Sequence, residues 1–334
     1  MIGRRAFLRS VAVTGAAIVL GGRPGVVRAA APLETTRIRL ARIPGICQSP
    51  QYIAEELLRA EGFSDVQYLP TTAGTDGIEK ALASGEVDIN GHFAAPVIVR
   101  IEAGDPIVVL AGEHVGCFEL FGSSRVRTVR DLKGKTVAVP EKDSARYLFL
   151  ASMVGHVGLR LQKDVTVVSH PRGESIRLLS EEKIDGYLGF PPEPEELRAK
   201  NIGHVIVNST VDRPWSQYFC CMLVGNREFV RKHPEATKRA MRAIVKATNV
   251  CALEPAKVAR FLVDRHFTSD YEYALRTLKS LPYGRWQDFD AEDTLRFYAL
   301  RLHEAGLIKT SPQKILAQGT DWRFLNELKR ELKG

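Results

Sequence analysis

Apolar and polar positions along this chain change period in a regular order. Ile38-Arg39-Leu40-Ala41-Arg42-Ile43 alternates as a half-buried strand does. Ser49-Pro50 then supplies an N-cap and a first-turn proline for a helix over 51–60. Its apolar face is Ile53, Ala54, Leu57 and Leu58, and Gly62 is placed to cap it. Residues 66–69 predict a second strand. A Thr- and Gly-containing loop over 71–76 leads into a helix carrying Ile78, Ala81 and Leu82. Residues 85–91 make a tight turn into a short strand, followed by a helix over 96–103 and a strand over 107–110. This β-α-β-α-β-α-β order implies a doubly wound, mostly parallel sheet.

A second series begins at residue 129. A short helix turns through Gly134 into a strand ending near Val139, and Ser144 caps a helix running to about Val157. Strands at 165–168, 185–189, 205–207 and 219–224 follow, with a helix at 174–180. Beyond Asn226 the pattern is helical: 227–253 with an interruption near Pro234, then 255–265, 271–280, 291–305 and 322–333. The two halves are related. Residues 83–88 and 179–185 both read as a helix end, a turn, an apolar residue, an Asp and a strand. Two α/β lobes joined by a hinge, with a helical C-terminal region, are the expected architecture. Ligands of such sheets bind beyond the carboxyl ends of the strands, so a cleft between two lobes surrounds one ligand with both sets of loops.

The N-terminus is different. Arg4 and Arg5 precede an apolar run over 11–20, and Ala29-Ala30-Ala31 follows. A basic start, a short apolar segment and small residues make an export signal over 1–31. The run is about half the ~20 residues of a membrane span. The Arg-Arg pair with Phe7 two residues on resembles a twin-arginine signal, with Gly3 where Ser or Thr is usual. A periplasmic location is expected, with cleavage near 29–31. The five arginines of residues 1–31 account for most of the net charge, which falls from +8 to +3 without them. The remaining excess is dispersed, so no nucleic-acid partner is expected. At 45% hydrophobic and 26% charged residues, the rest reads as ordinary globular protein. Cys47, Cys117, Cys220, Cys221 and Cys251 show no Cys-x-x-Cys or zinc spacing. Buried thiols are their expected role, and no metal or cofactor is expected.

Four stretches carry a family resemblance. They are residues 81–88 (Ala-Leu-Ala-Ser-Gly-Glu-Val-Asp), 103–107 (Ala-Gly-Asp-Pro-Ile), 131–139 (Asp-Leu-Lys-Gly-Lys-Thr-Val-Ala-Val) and 185–187 (Asp-Gly-Tyr). In this order the chain resembles periplasmic substrate-binding proteins of ABC importers. The group is the nitrate, sulfonate and taurine one, which includes binders of thiamine-pyrimidine precursors. The resemblance implies a two-lobe periplasmic-binding-protein fold: lobe one over 32–122, lobe two over 123–223, and a return to lobe one with C-terminal helices over 224–334. It implies no catalysis. A monomer would close on a small organic ligand and deliver it to an ABC permease in the inner membrane.

Strand-end loops supply the candidate ligand residues. Gln48 and Ser49 follow the first strand, Thr72 and Gly74 the second, His92 and Phe93 the third, and Glu119 the fourth. In the second half, Ser144 and Arg146 open a helix, and Phe190 and Glu193 follow a strand; Trp215 and Tyr218 precede the return crossing. Ser144 at a helix start suits an anion, or is a plain cap. Arg146 pairs with an anion or is a solvated helix residue, and His92 donates to a ligand or is structural. The glutamates and aromatics fit an aromatic, nitrogen-containing ligand better than a simple anion. Two alternatives stay open. One is a thiamine-pyrimidine-synthase-like enzyme using a Cys/His site, for which Phe219-Cys220-Cys221 is a faint echo of that group's cysteine motif. The other is a periplasmic ligand sensor.

Overall fold

In the computed structural model, residues 31–43, 45–70, 76–142 and 144–332 are described. The export-signal assignment over 1–31 and the candidates Thr72 and Gly74 fall outside these residues, Ala31 apart.

Among the described residues ten strands form the sheets: β1 (Arg37–Arg42), β2 (Asp65–Pro70), β3 (Ile89–Phe93), β4 (Ile107–Val115), β5 (Glu119–Gly122), β6 (Thr136–Val139), β7 (Thr166–Ser169), β8 (Gly186–Gly189), β9 (His204–Asn208) and β10 (Phe219–Asn226). In the first lobe β1 pairs parallel to β2, and β10 lies antiparallel between β3 and β4. The seam between β1 and β3 is closed by side chains. The Asp88 carboxylate accepts the Arg39 backbone N–H at 2.7 Å, the Asp88 N–H donates to the Arg39 carbonyl, and the Asn90 amide oxygen accepts the Ala41 N–H. The second lobe has the order β7-β6-β8-β5-β9, with β5 antiparallel to both neighbours. Here Asp185 repeats the device of Asp88: its carboxylate accepts the Thr136 N–H at 3.0 Å and its own N–H donates to the Thr136 carbonyl. Each Asp also pairs with an arginine, Arg39 or Arg125. One strand in each lobe runs against the rest, so the mostly parallel expectation holds.

Sheet membership changes between Val115 and Glu119 and again between Asn208 and Phe219. The crossings therefore lie a few residues before the expected boundaries at 122 and 223. The strand-like stretch over 107–122, which carries no proline, hides the first one. Gly116 and Cys117 both take positive φ, 89° and 102°, and break the run into two strands. The crossings support each other: Phe118 and Ser209 exchange hydrogen bonds of 3.0 Å.

Helix Pro234–Leu253 packs on the first lobe through Ala236, Ala240, Ile244, Ala247 and Cys251, one face at helical spacing. Helix Ala291–Glu304 packs against helix Ala94–Glu102 of lobe one and helix Ala145–His156 of lobe two. Phe93, Phe149 and Tyr298 meet where these elements converge, with ring centroids 5.3–6.3 Å apart. The lobes are thus in direct contact through these rings. Helices Glu193–Ala199 and Pro312–Gly319 were not expected from the sequence, because Glu-Pro-Glu and Ser-Pro read equally well as turns.

Candidate functional site

A cavity of about 200 Å³ lies between the lobes. Lobe one contributes Ile43, Cys47, Gln48, Ile78, His92, Phe93, Cys220 and Cys221; Phe118 comes from the first crossing; lobe two contributes Pro140, Glu141, Ser144, Ala145, Arg146 and Phe190. Six sequence candidates line it: Gln48, His92, Phe93, Ser144, Arg146 and Phe190. The Phe190 ring closes the far side. It lies 5.4 Å from Phe118, and its edge is 3.3 Å from where a side chain on Gly45 would begin.

Arg146 and His92 are already engaged at this cavity, whereas the exposed Glu141 carboxylate, also in its lining, makes no ion pair among the described residues. Arg146 donates to both Glu193 oxygens, at 2.6 and 2.9 Å, and to the Tyr187 hydroxyl at 3.0 Å. Glu193, which is 4% exposed, also accepts the Tyr187 O–H and the Phe190 N–H. Glu193 therefore does not line the cavity but neutralises the arginine that does. Ser144 caps helix Ala145–His156: its hydroxyl donates to the Glu141 carbonyl and accepts the Tyr147 N–H. His92 pairs through Nε2 with Glu79 Oε1 at 2.7 Å, both side chains buried. Burial alone would raise the Glu79 carboxyl, yet the charge of His92 and its hydrogen bond hold it below the ordinary 4.5.

Gln48 is different. Its amide nitrogen faces the sulfurs of Cys47 and Cys221, at 3.9 and 3.7 Å, while its Oε1 is buried with no hydrogen-bond partner. That oxygen is a buried acceptor without a donor among the described residues, lying beside Gly91. Gly91 makes room for it. A Cβ there would sit 2.3 Å from Glu113 Oε2 and 2.7 Å from Gln48 Oε1. Burial, with the field of Cys221, pushes the Glu113 carboxyl up to about 8.

Four candidates lie elsewhere. Ser49 is fully buried and donates to the Ile46 carbonyl. Glu119, at the start of β5, pairs with Arg198 of helix Glu193–Ala199. Trp215 packs edge-on against Phe149 and Phe297, and Tyr218 stacks on Phe297 at 3.9 Å. Trp215 and Tyr218 thus pack at the lobe interface, and none of the four lines the cavity. Sequence reasoning did not single out Cys47, Cys220, Cys221, Phe118 and Ile78 as ligand residues, yet they line the cavity. No local spacing marks the cysteines, because segments far apart in the chain bring them to one wall.

Among the described residues no helix is long and apolar enough to cross a membrane. The sequence signature of the NMT1-like family matches residues 31–262, more than half of the chain. The chain is 28% identical over 180 residues to the taurine-binding periplasmic protein of Escherichia coli, covering 51% of this chain and 52% of that protein. The match thus spans about half of that relative. It is 24% identical over 236 residues to a 4-amino-5-hydroxymethyl-2-methylpyrimidine phosphate synthase of Saccharomyces cerevisiae, covering 65% of this chain and 68% of that one. The solved periplasmic nitrate-binding protein of Synechocystis has the same fold, with a TM-score of 0.73 at 16% identity over 91% of this chain and 90% of that one.

Proposed function

We propose that this chain, which belongs to the NMT1-like family, is an extracytoplasmic solute-binding protein that closes its two lobes on a small organic ligand and delivers it to an ABC permease. One observation carries the reading: the cavity lies between the lobes and takes its walls from both. A ligand there stabilises the closed form by touching both lobes at once. Proteins named as taurine- and nitrate-binding support the class of function, and the export-signal pattern expected over 1–31 supports the periplasm.

The ligand is uncharged and flat. Phe93, Phe118, Phe190, Ile43, Ile78 and Pro140 give apolar and aromatic walls. Arg146, the cation that an anionic ligand would use, is held by Glu193, and the helix start beside it is capped by Ser144. The Gln48 oxygen asks for an N–H or O–H donor. A heteroaromatic ring bearing an amide or amine meets these demands. A sulfonate or nitrate brings a full charge to a site whose cation is already paired, and burying it there is costly.

The test is thermal unfolding of protein refolded to remove any bound solute. The library holds pyrimidines, aromatic carboxamides, taurine, alkanesulfonates and nitrate, and each hit is checked for chemical change. A ligand at a hundredfold excess over Kd adds about 2.7 kcal/mol of stability. The expected result is stabilisation by uncharged rings that are recovered unaltered. Consumption of a stabilising compound would replace this reading with an enzymatic one, which the synthase relative makes the natural second candidate.

A further inference from the structure

Three cysteines distant in sequence converge beneath this cavity. Cys47 is on the 3-10 turn after β1, Cys117 is on the first lobe crossing, and Cys221 is on β10. Their sulfurs all lie within 4.8 Å of one another, all three residues are buried, and none is in a disulfide. Cys117 is held at φ 102°, a left-handed backbone seldom taken by residues other than glycine. Polar groups surround the sulfurs: the Gln48 amide nitrogen reaches Cys47 and Cys221, and His114 Nδ1 stands 3.9 Å from the Cys117 sulfur. Cys47 and Cys221 also line the cavity, which gives the cluster an entry path.

Inert packing needs none of this convergence, and a single thiol in a core behaves as a small hydrophobe. Three sulfurs at this spacing form a preassembled trigonal donor set. The set contains no carboxylate, so it disfavours hard cations such as calcium and magnesium. Soft thiolate ligands select soft ions, Cu(I) foremost. The polar neighbours are suited to steady the sulfurs from outside the donor set.

We infer that Cys47, Cys117 and Cys221 form a binding site for a thiophilic, low-coordinate metal ion of the Cu(I) type. The site lies under the solute cavity and does not depend on the nature of the solute. Loss of solute binding and loss of metal binding are separate results.

The experiment uses the full chain, reduced and freed of metal under anaerobic conditions. Cu(I) is delivered with a competing chelator, Zn(II) is tested in parallel, and X-ray absorption at the copper edge reads the donor atoms. The expected result is one retained Cu(I) with three sulfur donors. Cys117→Ser and Cys221→Ser each weaken retention by roughly a hundredfold, at or above the effect of losing an outer-shell partner. Cys251→Ser, buried elsewhere, leaves retention unchanged. The inference is overturned if the chelator keeps the copper, if nitrogen or oxygen enters the shell, if all variants retain copper alike, or if Zn(II) is retained and Cu(I) is not. Should a cluster variant fail to fold, the donor count on the unaltered protein still decides.

Discussion

Replacing Glu193 with Gln should convert this cavity from one that refuses anions to one that accepts them. In the native protein the Arg146 guanidinium is spent on the two Glu193 oxygens, at 2.6 and 2.9 Å. Gln keeps the shape and one acceptor for the Tyr187 hydroxyl but removes the charge. An anion about 4 Å from the freed guanidinium gains about 4 kcal/mol at an effective dielectric of about 20. Desolvation of both ions takes back much of this. The net expectation is a tenfold to hundredfold gain in affinity for a sulfonate, or about 1.4–2.7 kcal/mol. The same change costs stability. Breaking a buried pair costs about 3–5 kcal/mol, and the partial exposure of Arg146 and its remaining bond to Tyr187 put this case at the lower end. Titration calorimetry with an aromatic sulfonate reads the first effect and urea unfolding the second. A folded Glu193→Gln protein that binds the sulfonate no better than the parent would refute the reasoning, because Arg146 would then not be what Glu193 withholds.

Glu79→Gln removes the partner of buried His92 and should cost about 3–5 kcal/mol at neutral pH. The Glu79 carboxyl is held below 4.5 in the folded state, so its stabilisation is present above that pH and disappears as pH falls through the folded value. Urea midpoints of parent and variant should therefore converge below pH 4.5, and a gap unchanged down to pH 3 would contradict the pairing. Phe190→Ala should weaken solute binding by about 1.5–3 kcal/mol, the loss of one aromatic wall, with little change in melting temperature. Equal solute affinity in the variant would remove Phe190 from the site. Gly91→Ala places a methyl against the Glu113 and Gln48 side chains and should destabilise by about 1–3 kcal/mol or more. A neutral effect in urea unfolding would mean that these side chains have room to move.

Much of the fold was legible because the relevant signals are local. Alternation, caps and turn glycines located most strands and helices, and the repeated turn-to-Asp pattern reported a real equivalence. Asp88 and Asp185 each stitch one strand of a lobe to the next. Those motifs are scaffold, which explains why they carry the family likeness without touching the cavity. The crossings were less legible because positive φ at a cysteine, Cys117, leaves no mark in the sequence. The lining of the candidate cavity was partly legible. Strand ends and helix starts pointed to Gln48, His92, Phe93, Ser144, Arg146 and Phe190. The pairing of Arg146 with Glu193 spans 47 residues, and the meeting of Cys47, Cys117 and Cys221 spans 174. Neither leaves a spacing to read. Trp215 and Tyr218 illustrate the opposite case: aromatic residues beside a crossing look like ligand walls, yet here they pack at the lobe interface.

The central claim is that the closed lobes hold an uncharged ring. Its most direct test is calorimetric titration of the refolded parent protein with two ligands that share one aromatic ring, one bearing a carboxamide and the other a sulfonate. The account predicts that the carboxamide binds at least about tenfold more tightly, about 1.4 kcal/mol. Tighter binding of the sulfonate would contradict it and return Arg146 to the role of an anion ligand.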